Sequence, residues 1–427
     1  VTENRLSTRW NRKLIELRGI ATYAIPVGVI AGISVAALEG VCNQILWGHL
    51  GKMPVAIRLV WPVLGLLISA YVLNRLHQRT VGMLNEVVVH YHAPPASLSP
   101  REDALKLGAC IATVGLGASA GLGGPSQWLG ARIALYVLYK LRRLRPFRSI
   151  APTQGLLIGA AAGVSAIFRA PLAGTLLALE TPFSKDIDST ALVPASIAAI
   201  VAHLVHGLLV DNAPLLPFPS NVHATPATFV SAVVIGIVAG VISRRFQRVM
   251  VWVRLQTGHL EWYSRGLVGG IVTSLTAYVA SVYFGDTWTL QAGLPLAETA
   301  FAAKWLGLAA LTLLLLKLVS VWATFGTSGV AGLLVITLTV GSLIGASCQP
   351  FAVGLTPETA CAIGVCAYLA ANYNAPLTGI ALAAEWGGTE LLKVVWVAVL
   401  VAAWIGEGLA NTPGKTGRRH TRQIAHE

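Results

Sequence analysis

Residues 170–180 read Ala-Pro-Leu-Ala-Gly-Thr-Leu-Leu-Ala-Leu-Glu, and residues 375–385 read Ala-Pro-Leu-Thr-Gly-Ile-Ala-Leu-Ala-Ala-Glu. The proline of each box suits the first turn of a helix, where its missing N–H is not needed. The boxes lie 205 residues apart, from Ala170 to Ala375. The same offset carries Gly121 onto Gly326 and Gly124 onto Gly329, so the break Gly121-Leu122-Gly123-Gly124-Pro125 finds a counterpart in Gly326-Thr327-Ser328-Gly329. Upstream, Gly28-Val29-Ile30-Ala31-Gly32 matches Gly236-Ile237-Val238-Ala239-Gly240 at an offset of 208. The chain thus reads as two copies of one unit. A basic segment over 1–20 precedes a first repeat over 21–225 and a second over 226–410, and a basic tail over 411–427 ends it.

Outward from the boxes the sequence is apolar. Of its 427 residues 55% are hydrophobic and 11% charged, against about a quarter charged in soluble domains, so the chain is expected to lie in a bilayer. Its apolar runs are long and continuous, whereas membrane barrels show short alternating segments. The fold class is therefore all-α: a membrane bundle of many tilted, partly re-entrant helices in an inverted repeat. A crossing takes about 20 residues, so the stretch 127–139 reads as a partial helix beginning at the glycine break. Longer runs are expected over 154–180, 301–325, 360–384 and 391–410. Interrupted segments at corresponding places in two halves point to a transport site at the repeat interface.

The formal charge of +13 would raise nucleic-acid binding in a soluble protein. Here the basic residues gather at segment ends, as in Arg5, Arg9, Arg12, Lys13 and Arg18 or Lys415, Arg418, Arg419 and Arg422. That pattern predicts both termini in the cytoplasm, a plasma (inner) membrane location and no nucleic-acid partner. The run from Lys140 to Arg148 is not assigned a side. Cys42, Cys110, Cys348, Cys361 and Cys366 are scattered and show neither a disulfide framework nor metal spacing. No secretory leader is read in the first 20 residues.

A helix N-terminus presents unpaired N–H groups and about half a positive charge. Helices starting at the glycine breaks can therefore hold a small anion loosely enough to release it. The bland alternative is that the glycines serve only close helix packing.

These residues resemble the CLC family of chloride channels and anion/proton antiporters over almost the whole chain. The family's Gly-x-Glu-Gly-Pro, with a further Gly five residues after its proline, is similar to Gly121 to Pro125 with Gly130. Its Asn-Ala-Pro-Leu-Ala-Gly helix ending in glutamate is similar to Arg169 to Glu180 and to Asn374 to Glu385. Its Gly-Ile-Phe-x-Pro motif aligns with Gly332-Leu333-Leu334-Val335-Ile336. Its Gly-Ser-Gly-Ile-Pro turn falls near Thr80-Val81-Gly82-Met83-Leu84, without the serine, and Glu86 then matches an acidic residue after the turn. The tyrosine that closes the inner side of the pore falls near Thr416. The resemblance implies an anion pathway along Gly82, Met83, Gly121, Gly123, Gly124, Pro125, Gly332, Leu333, Leu334 and Thr416. It also implies a homodimer with one pathway per subunit, and no cytoplasmic regulatory domain is expected after Glu385.

The departures shape the functional expectation. The gating glutamate of the family is here Gly123, and the inner proton-accepting glutamate is Thr181, directly after the retained Glu180. Neither replacement takes up a proton usefully. Lys106 and Lys317 lie within or beside apolar stretches, where a charge costs about 2.5–3.5 kcal/mol to insert. Lys317 either adds positive potential to the anion path or pairs with a helix carbonyl, Glu180 or Glu385. The histidines, His203, His206 and His223 among them, read as interfacial or solvated, and Trp47, Trp61, Trp252, Trp262 and Trp288 as a membrane-interface belt.

The expected function is a CLC-type channel or uncoupled transporter for chloride or a similar small anion, without cofactor or metal. The alternatives are an antiporter whose proton path has moved to Glu180 and Glu385, and a non-conducting assembly subunit. No nucleophile–base pair, metal cluster or phosphate loop suggests an enzyme.

Overall fold

The computed structural model describes residues 22–78, 82–144, 147, 150–182 and 189–407. Among them the chain is almost wholly helical. In order run α1 (Thr22–Leu50), α2 (Val55–Arg75), α3 (Met83–His92), α4 (Pro100–Gly115), α5 (Gly123–Leu141), α6 (Pro152–Phe168), α7 (Pro171–Glu180), α8 (Ser189–Leu209), α9 (Pro226–Thr257) and α10 (Trp262–Phe284). Then follow α11 (Leu294–Phe301), α12 (Leu308–Thr327), α13 (Leu334–Cys348), α14 (Pro357–Tyr373) and α15 (Pro376–Glu407). Eight of these helices are long and apolar enough to cross a bilayer. Their outer faces carry exposed Leu, Ile, Val and Trp, such as Leu208, Val230, Leu275 and Trp404, a surface that only lipid or another apolar face can cover.

Several apolar runs are broken more finely than hydropathy shows. The run 154–180 is two helices, because Arg169 turns left-handed (φ 54°, ψ 34°) between α6 and α7. Asn374 makes the same turn (φ 52°, ψ 43°) between α14 and α15, so the run 360–384 is also two helices. α15 continues to residue 407 through a kink at Gly388, whose φ of 75° and ψ of −169° suit glycine alone. The run 301–325 is interrupted before α12 begins at Leu308, and α5 starts four residues earlier than the stretch 127–139 suggests.

The two repeats are visible in packing. Gly28 and Gly32 of α1 lie against the backbone of Ala198 and Ala202 of α8, and Gly236 and Gly240 of α9 lie against Ala398 and Ala402 of α15. α5 packs on α6 at Gly130 and Gly159, as α13 packs on α14 at Gly341 and Gly364. These pairs correct one sequence expectation. Gly326 lies inside α12 and is not the counterpart of Gly121. The structural counterpart is Gly332, at an offset of 211, because α13 and its connection to α14 together hold six fewer residues than α5 and its connection to α6.

Candidate functional site

Three breaks meet at the centre. Gly121 and Gly332 exchange both backbone hydrogen bonds, N to O 3.0 and 2.9 Å, and Gly82 bridges to Ala331 beside them. This pinning brings together the starts of α3, α5 and α13. The residues before α5 and α13 share one conformation, Leu122 at φ −90°, ψ −6° and Leu333 at φ −87°, ψ −12°. The approach is so close that a Cβ on Gly332 would strike the nitrogen of Gly124, and a Cβ on Gly124 would sit 3.0 Å from the Cα of Gly332. Only glycine allows backbone to meet backbone here.

No side chain caps α3, α5 or α13. The N–H groups of their first turns are therefore donors without an internal helical partner. Ser119 and Ser126 hydroxyls and the Gln127 amide are buried around the same break and find no partner among the described residues. Such a set of donors can replace part of an anion's hydration shell without carrying a full charge.

The Ala-Pro-Leu helices differ. The Glu385 carboxylate accepts from the backbone N–H groups of Leu172 (2.6 Å) and Ala173 (2.8 Å) at the start of α7. Reciprocally, Glu180 accepts from Leu377 (2.9 Å), from Thr378 N–H (2.8 Å) and from the Thr378 hydroxyl (2.6 Å) at the start of α15. Each repeat caps the other's helix, so these two N-termini are already occupied and do not join the open donors. Thr181 donates its hydroxyl back to the Leu177 carbonyl.

The surroundings of Gly123 are crowded. A Cβ built on Gly123 would lie 2.7 Å from Leu334 Cβ and 3.0 Å from its Cδ2. Leu334 is fully buried and fills the space into which a side chain at 123 would project. Met83 is likewise fully buried at the start of α3, while Thr80, Val81 and Thr416 lie outside the described residues.

A cavity of about 380 Å³ opens beside the breaks. Gly121, Leu122 and Val335 form its end towards the helix starts, and Glu39, Arg58, Asp286 and the loop from Thr287 to Pro295 line it further out. Trp47 and Trp288 also line it. α1 passes through a π-helical stretch, Gly40–Trp47, along this wall. Such insertions recur at functional sites.

Several charged residues near the breaks and the cavity are paired. Lys106 donates to Glu86 at 2.8 Å, and Arg132 makes a two-pronged contact with Asp103 at 2.9 and 2.7 Å, which also accepts from the Tyr136 hydroxyl. Arg58 pairs with Asp286 at 2.7 Å. His206 is fully buried rather than solvated, and its Nε2 lies 2.8 Å from Glu39, which Arg169 also approaches at 3.6 Å. Arg169 reaches Asp211 as well. The backbone N–H of Ala213 holds that exposed carboxyl below its ordinary range, with Arg169 adding to the effect. Lys317 meets neither Glu180 nor Glu385; its Nζ donates to the carbonyls of Thr289 and Gln291. The Glu39 cluster and the 287–295 loop carried no sequence signal, since both arise from contacts across the fold.

Two helical repeats with broken helices meeting at a central site define a membrane transport fold. The sequence pattern described as "Voltage gated chloride channel" matches residues 65–407; the chain belongs to this family and is an integral membrane protein, and members of the family are channels or transporters rather than enzymes. It is 26% identical over 318 residues to the "H(+)/Cl(-) exchange transporter ClcA" of Yersinia pestis bv. Antiqua (strain Angola), covering 71% of this chain and 64% of the relative. It is 25% identical over 291 residues to an uncharacterized protein of Methanocaldococcus jannaschii, covering 65% and 68%. The chain thus matches less than two thirds of the length of the exchange transporter. The fold is that of a "CLC-type fluoride/proton antiporter" (TM-score 0.77, 21% identity, 92% and 96% covered). A "slow cyanobacterial Cl-/H+ antiporter" shares it too (TM-score 0.76, 19% identity, 96% and 99% covered).

Proposed function

We propose that this chain is a passive pathway for chloride or a similar small anion, a channel or uncoupled transporter. The anion is held by the first-turn N–H groups of α5 and α13. The observation that carries this reading is the double hydrogen bond between Gly121 and Gly332, which sets two uncapped helix starts against each other. The pathway runs past Gly82, Met83, Gly121, Gly123, Gly124, Pro125, Gly332, Leu333 and Leu334, with Lys106 and Lys317 shaping its potential and Thr416 belonging to its inner end. Gly123 and Thr181 leave the two usual proton positions without a carboxylate, and Glu180 and Glu385 are committed to helix caps, so none of the four sites supports coupled proton movement.

The repeats divide near residue 225, ahead of α9. The chain works as a homodimer in the plasma (inner) membrane, with both termini cytoplasmic; the basic clusters at segment ends support this orientation. Chloride efflux from liposomes, with a potassium ionophore to balance charge, tests the reading. Flux is expected for wild type and a loss of at least tenfold for Gly332→Ala; absence of flux for every small anion would favour a non-conducting subunit.

One observation favours a second reading. Glu39 lines the same cavity as Gly121 and pairs with buried His206, which offers an antiporter a different proton acceptor. Proton uptake abolished by Glu39→Gln would support it.

A further inference from the structure

Lys317 is fully buried in α12. Its Nζ donates to two neutral carbonyls, Thr289 at 2.9 Å and Gln291 at 2.6 Å. Among the described residues no carboxylate lies within ion-pair distance of it, whereas Lys106, Arg132, Arg58 and Arg169 each have one. A buried ammonium left without a counter-charge is strongly disfavoured.

The loop that receives Lys317 separates it from the cavity by one layer of backbone. A Cβ built on Gly293 would lie 3.2 Å from Nζ, and Gln291, Ala292 and Gly293 all line the cavity. Because a trans peptide sets its C=O and N–H in opposite directions, the Gln291 carbonyl that faces Lys317 turns the Ala292 N–H away from it. The loop is fixed from other sides too. Thr339 donates to the Ala292 carbonyl at 2.9 Å, and the Gln291 N–H donates to Gly117 O at 3.2 Å. The Gln291 side-chain amide, Nε2, is buried and has no acceptor among the described residues. This loop adjoins the break, since a Cβ on Gly121 would lie 3.5 Å from Ala292 Cβ.

The geometry points to a second anion station in this cavity, where a small monovalent inorganic anion is the counter-ion of Lys317 and is bound by the Ala292 N–H and the Gln291 amide. It rests on the proposed anion pathway past Gly121, which also lines this cavity. The cavity carboxylates Glu39 and Asp286 are ion-paired with Arg169 and Arg58, and Glu39 also meets the His206 ring. Glu298, which also lines the cavity, has no ion pair among the described residues and opposes the anion.

The test is equilibrium dialysis of the full chain in detergent against bromide, with chloride efflux from liposomes in parallel. Lys317→Met and Gln291→Asn are each expected to raise the half-saturating bromide concentration at least fivefold, and Glu298→Gln to lower it. Should Lys317→Met fail to fold, Gln291→Asn alone decides. Unshifted binding in the folded variants, or no bromide bound by wild type, overturns the station. Shifted binding without flux of any anion leaves the station standing and removes the passive-pathway reading; flux with unshifted binding does the reverse.

Discussion

At Gly123 a single side chain decides two properties. A methyl group there meets Leu334 Cβ at 2.7 Å, and overpacking a filled interior costs about 1–3 kcal/mol. Gly123→Ala is therefore expected to lower the thermal unfolding temperature in detergent, with Leu334→Ala restoring it in the double variant. A glutamate at 123 has no room until Leu334 is shortened. Gly123→Glu combined with Leu334→Ala should thus make anion flux fall as pH rises and the carboxylate ionises, read as efflux across pH 4 to 8. The missing carboxylate was legible in the sequence, because the Gly-x-Gly-Gly-Pro break names the position. The leucine that fills its space was not, since it comes from a helix 211 residues further on. Lys317 shows the same division: its burial follows from its apolar neighbours, but its carbonyl partners come from a loop with no local signal.

Among the elements, the helix starts sort into two kinds. α5 and α13 begin open, while α7 and α15 begin on a carboxylate of the opposite repeat. Sequence spacing identified the starts of α5, α7 and α15, the Ala-Pro-Leu boxes fixing the last two closely, while the start of α13 came only from the resemblance at Gly332 to Ile336. What it could not give was the partner of each end. A glutamate at the end of one box reads the same whether it faces water, a lysine or a distant amide. The offset of 205 also placed the second break at Gly326, because the six residues by which α13 and its connection to α14 are shorter than α5 and its connection to α6 cannot be seen in a pattern of glycines. The caps make a prediction of their own. Glu180→Gln or Glu385→Gln replaces a charge-assisted acceptor with a neutral amide and is expected to cost on the order of 2 kcal/mol, seen as a lower unfolding midpoint in detergent. Anion affinity, measured by bromide binding, should stay within twofold of wild type, because these ends do not face the open donors. A tenfold loss of affinity would place them in the anion path.

On the scale of the molecule, the scarcity of charge acquires a specific distribution. Lys106, Arg132, Arg58 and Arg169 are matched by carboxylates at Glu86, Asp103, Asp286 and Glu39, Lys317 meets only carbonyls, and the central break carries no carboxylate. On the proposed pathway an anion moving through it would meet N–H dipoles and glycine backbone, with no carboxylate at Gly123 or Thr181 to exchange a proton against it. The most direct test is the zero-current voltage of the reconstituted protein in a planar bilayer with symmetrical chloride and a tenfold proton gradient. The passive pathway predicts a reversal at about 0 mV, since chloride alone sets it. A reversal displaced from zero, moving with the size of the proton gradient, would show coupled exchange and contradict the account.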